Sequence, residues 1–286
     1  MKITSILVIK KLDDQDSPAV ANVLAHLRLW AAKYDIMITT PGNQRIEEVE
    51  IPAEEQYVVV GIGGDGTVIT ASKWGVALNC PVIGFNLGKV GFLADFPANS
   101  VYETMEAYVN DSMVIDSRTT IATSHRGVDL GIALNDVAVS CALSDTSLSY
   151  TLHVGGVFAG SHTANGVIFC TPTGSTAYAL AVGGAIMMPE ISNIMQITPI
   201  APHTMTSRPL IVPNYQETLM TFSASKKKPV TVRLDGVIVL TLGEDDDVPK
   251  QHTISVVDGV KSRVRLAHHA SWNHFDILNK KLGWNK

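Results

Sequence analysis

The first third of the chain alternates two kinds of hydrophobic pattern. Ile6 to Ile9 is an unbroken apolar run, the signature of a short strand covered on both faces. Ser17-Pro18 follows, a serine suited to an N-cap and a proline suited to the first helical position. Val20, Val23, Leu24, Leu27 and Trp30 then recur at helical spacing and predict a helix with one apolar face. Asp35 to Thr39 reads as a second strand, Tyr57 to Ile62 as a third and Pro81 to Phe85 as a fourth, with a helix over Val101 to Val109. Strands alternating with helices predict an α/β N-terminal domain with a mostly parallel sheet, which takes its ligands at the carboxyl ends of the strands.

Near Ser117 the pattern changes to short β-runs: Ile132 to Val139, Ser149 to Val154, Gly166 to Thr171, Ile194 to Thr198, Glu217 to Ser223, Val230 to Leu234, Val237 to Leu242 and Thr253 to Val257. Asp235-Gly236 and Asp258-Gly259 lie between such runs, where Asp-Gly favours a tight hairpin. These runs predict a β-rich, sandwich-like C-terminal domain. From about Leu266 the tail turns helical again around Phe275 to Leu282. The expected division is residues 1–117 as the α/β domain, with a tail, 266–286, that packs back on it, and 118–265 as the β-rich domain.

Composition narrows the function classes. With 286 residues, 46% of them hydrophobic, the chain can build one large core or two ordinary ones. A net charge of −5 and a single basic cluster, Lys226-Lys227-Lys228, argue against a nucleic-acid partner. That triplet and the acidic run Glu244 to Asp247 read as solvated loops. No stretch approaches the roughly 20 apolar residues that cross a bilayer, and the first ten residues lack the features of a signal peptide. No membrane partner is expected. Cys80, Cys141 and Cys170 are odd in number, far apart and set among apolar neighbours, which suits buried thiols in a reducing cytoplasm.

Two segments carry candidate chemistry. Gly63-Gly64-Asp65-Gly66-Thr67 follows the third strand and precedes a helical pattern. Glycines allow positive φ and close approach of phosphate to backbone N–H, and a helix start favours anions. A carboxylate inside such a cradle needs a task other than binding phosphate, and holding a hydroxyl or a metal would suit it. The second segment, Pro172-Thr173-Gly174-Ser175-Thr176-Ala177-Tyr178, follows the apolar strand Gly166 to Thr171. Its hydroxyls and a helix expected over Ala177 to Ala181 suit sugar hydroxyls, phosphates or an adenine edge, and Tyr178 offers a ring for stacking. No Walker loop, Gly-x-Ser-x-Gly elbow or His-Glu-x-x-His pattern is present. His268, His269 and His274 therefore read as surface or packing residues.

In these two segments the chain resembles the NAD kinase family, which phosphorylates NAD to NADP. Thr171 to Tyr178 matches the family signature Thr-Pro-Thr-Gly-Ser-Thr-Ala-Tyr residue by residue. Gly63 to Thr67 matches its glycine–aspartate motif, Gly84 to Leu93 its second glycine segment, and Asn135-Asp136 its Asn–acidic pair. Arg208-Pro209 and Lys281 to Trp284 match shorter landmarks. The resemblance implies that Asp65 acts as general base on the 2′-hydroxyl of the adenosine ribose. It implies a dinucleotide-binding C-terminal domain and a site between the domains. The binding set it suggests is Gly64, Gly66, Asn86, Asn135, Asp136, Asn165, Thr173, Thr176, Ala177, Tyr178 and Ala181. It also implies ATP or a related phosphate donor, a divalent metal, usually magnesium (Mg2+), with no protein side chain assigned to it, and a homodimer or homotetramer whose sites a neighbouring subunit completes. Lys89 and Arg208 are weaker candidates for phosphate contact.

The chain departs from the family pattern at four positions. Asp136 stands where Glu is commoner, Asn165 where Asp is frequent, and Ala181 and Val237 where many members are polar. The expected effect is retuned dinucleotide affinity, or NAD against NADH preference, with activity kept. Two alternatives remain open at this point. One is a lipid or metabolite kinase sharing only the glycine–aspartate loop, and the other a non-catalytic NAD sensor.

Overall fold

The computed structural model describes residues 3–10, 17–42, 46–49, 52, 55–88, 91–143, 146–259 and 262–284. The chain divides into two compact units, 1–117 with 264–286, and 118–263.

In the first unit one sheet runs in the order Met37–Thr39, Ser5–Lys10, Tyr57–Gly63, Val82–Asn86, Val264–His269, Met113–Arg118. The first five strands pair in parallel. Alternate residues explain the unbroken apolar runs. Ile6, Val8, Val58, Val60 and Ile83 join one cluster with Val20, Val23, Leu24, Leu27 and Trp30 of helix Pro18–Lys33. Leu7, Val59 and Val82 are equally buried but face the other way. Helix Asp65–Ala77 packs on the same strands and buries Val68, Ala71 and Trp74. The strand order reverses between Ser5–Lys10 and Tyr57–Gly63, so the crevice at the carboxyl ends opens beside Gly63.

The second unit holds two six-stranded sheets, all of whose described pairings are antiparallel. One runs Val157–Ala164, Leu148–Val154, Thr218–Ala224, Lys250–Asp258, Ile121–His125, Val128–Ala133. The other runs Leu210–Pro213, Ile194–Ile200, Gly166–Cys170, Asp136–Cys141, Val230–Leu234, Val237–Leu242. Tyr150, Met220, Phe222 and Ile254 of the first share a core with Val139, Val167, Phe169 and Val232 of the second. On strand Gly166–Cys170 the intervening Ile168 and Cys170 enter a separate cluster with Ala179 and Met187, so this strand too is covered on both faces. An α/β unit with a mostly parallel sheet, a β-rich unit and a C-terminal helix, His274–Leu282, form the architecture that the patterning predicts.

Several local expectations fail for identifiable reasons. Asp35 turns with φ 54° rather than opening a strand, which begins at Met37. The run Ile132 to Val139 is broken at Leu134-Asn135, where strand Val128–Ala133 ends and strand Asp136–Cys141 begins. Asp235-Gly236 does form the hairpin, with φ 50° and 83°. Asp258-Gly259 does not, because the chain leaves the second unit there and its next strand, Val264–His269, pairs with Val82–Asn86. Ser17 stands at the N-cap, but its side chain makes no capping bond.

The basic triplet and the acidic run meet each other: Lys226 pairs with Asp247 at 3.1 Å, and its N–H donates to the Asp246 carbonyl. Cys80, Cys141 and Cys170 are free, and burial pushes the Cys80 and Cys170 thiols up to about 12. No helix among the described residues is long and apolar enough to cross a membrane.

Candidate active site

The Tyr57–Gly63 strand runs directly into helix Asp65–Ala77, with Gly64 as an extended N-cap at φ −108°. Asp65 thus sits in the first helical turn, where the dipole favours a carboxylate. The motif glycines do not supply left-handed backbone, contrary to expectation: none of Gly63, Gly64 and Gly66 has positive φ. No loop intervenes between strand and helix, so no reversal is needed. Their contribution is space. Gly63 makes room for Thr67, and at exposed Gly64 and Gly66 an added Cβ would meet nothing within 4 Å. The start of this helix therefore offers bare backbone, with N–H groups that lack intrahelical partners.

The Asp65 carboxylate is held by its own unit. Oδ1 accepts the N–H groups of Leu93 at 2.9 Å and Ala94 at 3.1 Å, and Oδ2 accepts that of Phe92 at 2.9 Å. A carboxylate offers about four acceptor positions, so one remains, on Oδ2. Asn86, opposite Gly63 in the sheet, is buried. Its Nδ2 donates to the Ala94 carbonyl at 3.0 Å, and its Oδ1 accepts the Gly88 N–H at 2.7 Å. Asn86 thus closes the loop that cups Asp65. Lys89 and Val90 lie outside the described residues.

In the second unit the signature begins at the end of strand Gly166–Cys170. It folds as a 3-10 turn, Thr173–Thr176, and a single helical turn, Tyr178–Ala181. The expected helix ends at once: Gly183 has φ 87°, and the Gly184 N–H donates to the Ala179 carbonyl at 2.8 Å. So short a turn has no appreciable dipole to offer a ligand.

Most of the hydroxyls are consumed internally. Thr171, fully buried, donates to the Leu134 carbonyl at 2.6 Å and accepts the Gly174 N–H at 3.1 Å. Ser175, equally buried, donates to the Pro172 carbonyl at 2.7 Å and accepts the Met187 N–H at 2.9 Å. Thr173 accepts from Nη1 of the buried Arg118 at 3.3 Å. Thr176, whose hydroxyl donates to the Thr173 carbonyl at 3.3 Å, and Ala177 are half-buried, while Tyr178 is 44% exposed. These three offer the accessible face of the signature.

Asn135 and Asp136 lie beneath that loop. Gly174 sits so close to the Asn135 carbonyl that any Cβ would overlap it, and Asp136 pairs with Cys170 across the sheet. Sequence reasoning treated Asp235 only as a turn residue. Its carboxylate in fact accepts the N–H groups of Leu134 at 3.0 Å, Asn135 at 2.7 Å and Asp136 at 3.2 Å. Burial, and then the charge of Asp235, push the Asp136 carboxyl up to about 7. Arg118 was missed as well; neither residue carries a local spacing signal.

The structure thus gathers Gly64, Asp65, Gly66 and Asn86 in one unit. In the other it gathers Asn135, Asp136, Thr173, Thr176, Ala177 and Tyr178, with exposed Ala181 at the end of the short helical turn. Asn165 stands apart. It precedes strand Gly166–Cys170, whose opposite end carries the signature, about 20 Å away at 3.3 Å per residue.

The model of the ATP-NAD kinase N-terminal domain matches residues 30–113, and that of the ATP-NAD kinase C-terminal domain matches residues 134–262. An NAD kinase of Pseudomonas putida (strain W619) is 32% identical over 231 residues, covering 79% of this chain and 75% of the relative. The chain belongs to the NAD kinase family. A second NAD kinase, from Koribacter versatilis (strain Ellin345), is 28% identical over 96% of this chain and 97% of its own length. The fold matches the crystal structure of yeast NADH kinase complexed with NADH, with a TM-score of 0.81 at 22% identity, over all of this chain and 89% of that one.

The NAD kinase family comprises transferases that phosphorylate NAD. The family models cover both the glycine–aspartate motif and the signature, which disfavours a lipid kinase sharing the first motif alone. Among the described residues no group of three or more His, Cys, Asp or Glu is arranged to hold a metal.

Proposed function

We propose that the chain transfers the terminal phosphoryl group of ATP to the 2′-hydroxyl of the adenosine ribose of NAD, with Asp65 as general base. The observation that carries this reading is the open acceptor position on Asp65 Oδ2, next to the bare backbone of Gly64 and Gly66. A hydroxyl donating there is oriented and loses its proton to the carboxylate as the phosphorus–oxygen bond forms. The amides of Phe92, Leu93 and Ala94 keep the carboxylate from rotating. Free N–H groups at the helix start suit the phosphates.

Asn135, Asp136, Thr173, Thr176, Ala177 and Tyr178 hold the dinucleotide in this reading, with the exposed Tyr178 ring available for stacking. Near neutral pH Asp136 carries a proton part of the time, so it donates as well as accepts. Asn165, remote from the signature along its own strand, serves the site of a neighbouring copy in a homodimer or homotetramer. Magnesium, held mainly by donor phosphates, would neutralise charge building on the transferred group. The free cysteines, of which Cys80 and Cys170 are buried and Cys141 half-buried, support a cytoplasmic location.

The decisive assay incubates the pure protein with NAD, ATP and magnesium and measures NADP. Formation of NADP that disappears in Asp65→Asn supports the assignment. NADP formation at the full rate by Asp65→Asn removes Asp65 as the base.

A further inference from the structure

We infer that the buried pair Asp95–His268 is a positioning device for Asp65, by which the C-terminal tail sets the orientation of the catalytic carboxylate. The inference rests on the assignment of Asp65 as base. Its starting point is mechanical: three consecutive amides, Phe92 to Ala94, grip the carboxylate, so whatever fixes those amides fixes the base.

Besides the Asn86 bond to the Ala94 carbonyl, two contacts from the tail flank the gripping segment. Directly after Ala94, the Asp95 carboxylate lies 2.9 Å from Nδ1 of His268, which is wholly buried at the end of strand Val264–His269. Asp116 approaches the other ring nitrogen of His268 at 3.9 Å. The imidazole is stacked on Trp272, with ring centres 4.3 Å apart and planes 16° off parallel. At the other end of the segment, the Phe92 ring meets His274 at 6.2 Å, and His274 in turn meets Trp272 at 6.1 Å. The rings of His268, Trp272, His274 and Phe92 thus form one continuous row from the tail to the first gripping residue.

The loop needs these anchors. Gly91 comes so near Asp65 that a Cβ there would overlap the carboxylate, so the grip is close and intolerant of drift. Just beyond the gripping segment, Asp95 and Phe96 border a cavity of about 510 Å³ that Trp272 and Asn273 also line. That space lies beside the Asp95 end of the segment and leaves Asp95 room to move once its His268 contact is lost. Without the Asp95–His268 contact, Ala94 keeps the Asn86 bond to its carbonyl but loses the anchor on its C-terminal side, and the Ala94 and Leu93 amides shift against Oδ1. The carboxylate then rotates, and the acceptor position on Oδ2 loses its direction. Dinucleotide contacts in the other unit are untouched. The expected signature is therefore loss of turnover with binding retained.

The test compares Asp95→Ala, His268→Leu and His268→Asn with Asp65→Asn. It measures kcat and KM for NAD from NADP formation, and hydrogen exchange at the amides of Phe92, Leu93 and Ala94. Asp95→Ala and His268→Leu are expected to lower kcat by about tenfold or more, the scale at which small misplacements act, with KM for NAD within about twofold. Exchange at the three amides is expected to accelerate. His268→Asn places an amide nitrogen where Nδ1 stood and is expected to recover most of kcat. If His268→Leu does not fold, Asp95→Ala and His268→Asn carry the same comparison. Wild-type kcat in Asp95→Ala, or a fall in kcat matched by KM with exchange unchanged, overturns the inference. Asp65→Asn separates the two levels: if it stays active, the base assignment has failed, whereas if it is inactive while Asp95→Ala is normal, only the positioning has.

Discussion

The two motif segments handle a carboxylate in opposite ways. Asp65 stands half-buried at a helix start, with backbone amides on both oxygens and one acceptor position open. Asp136 is 5% exposed, lies close to a second carboxylate, and has its acidity suppressed until about pH 7. The first arrangement orients a carboxylate that, in the proposed reaction, takes the proton of a donating hydroxyl. The second stores a proton beneath a loop whose own hydroxyls are already engaged. Similar residue types, glycine, hydroxyl and acid, thus build a reactive site in one unit and a rigid floor in the other. The difference lies in which partners the backbone brings up.

Breaking that comparison begins with Asp65. Asp65→Asn keeps the side chain's size, removes the base and sets an amide nitrogen against one of the gripping N–H groups, so kcat is expected to fall by about 100-fold or more, with KM for NAD little changed; steady-state kinetics reads both. Asp235→Ala comes next, because it strips the acceptor from three N–H groups. A loss of about 2–4 kcal/mol in unfolding free energy is expected, together with a raised KM for NAD; denaturant titration showing wild-type stability would contradict the part given to Asp235.

Within the signature, Thr171→Val and Thr176→Val should part company. Thr171 makes two buried bonds, so its variant is expected to lose about 1–3 kcal/mol. Thr176→Val is expected to melt near the wild-type temperature and to act on KM for NAD instead. Equal melting points for the two would erase the distinction between floor and face.

The pH dependence of Asp136 completes the comparison. Its folded pKa, about 7, lies above the unfolded value of roughly 4. Below the unfolded value both states hold the proton and burial carries no penalty. As pH rises through this window only the unfolded state releases its proton, so stability is lost. Asp136→Asn removes that term. Its melting temperature relative to wild type is expected to climb by about 6 °C or more between pH 4 and 8; parallel melting curves across that range would discard the coupling.

Elements with regular spacing were legible in the sequence. The helix Val101–Val109 and the strands Val230–Leu234 and Val237–Leu242 appear with the expected ends, because periodic apolar residues and an Asp-Gly turn are local signals. Strands Val157–Ala164 and Leu210–Pro213 were not anticipated. The first is exposed or half-buried along most of its length and carries little apolar alternation, and the second has only four residues. In the candidate site, the motifs pointed to the right segments for inspection but not to the division of labour inside them. Asp235 receives amides about 100 positions earlier in the chain, with separations of 99 to 101. Asp95 and His268 are 173 residues apart. Such partnerships come from sheet closure, and no window of sequence contains them.

The strand Val264–His269 has a consequence for how the molecule is made. It fills a place in a sheet whose other strands all lie in residues 5–118, next to one completed at Asn86. On the ribosome that gap stays open while the whole intervening β-rich segment is translated. The early half therefore waits, with a sheet edge unpaired, for the last two dozen residues to emerge. A nascent or prematurely terminated chain would carry the glycine–aspartate motif in full and still lack the frame that aims it.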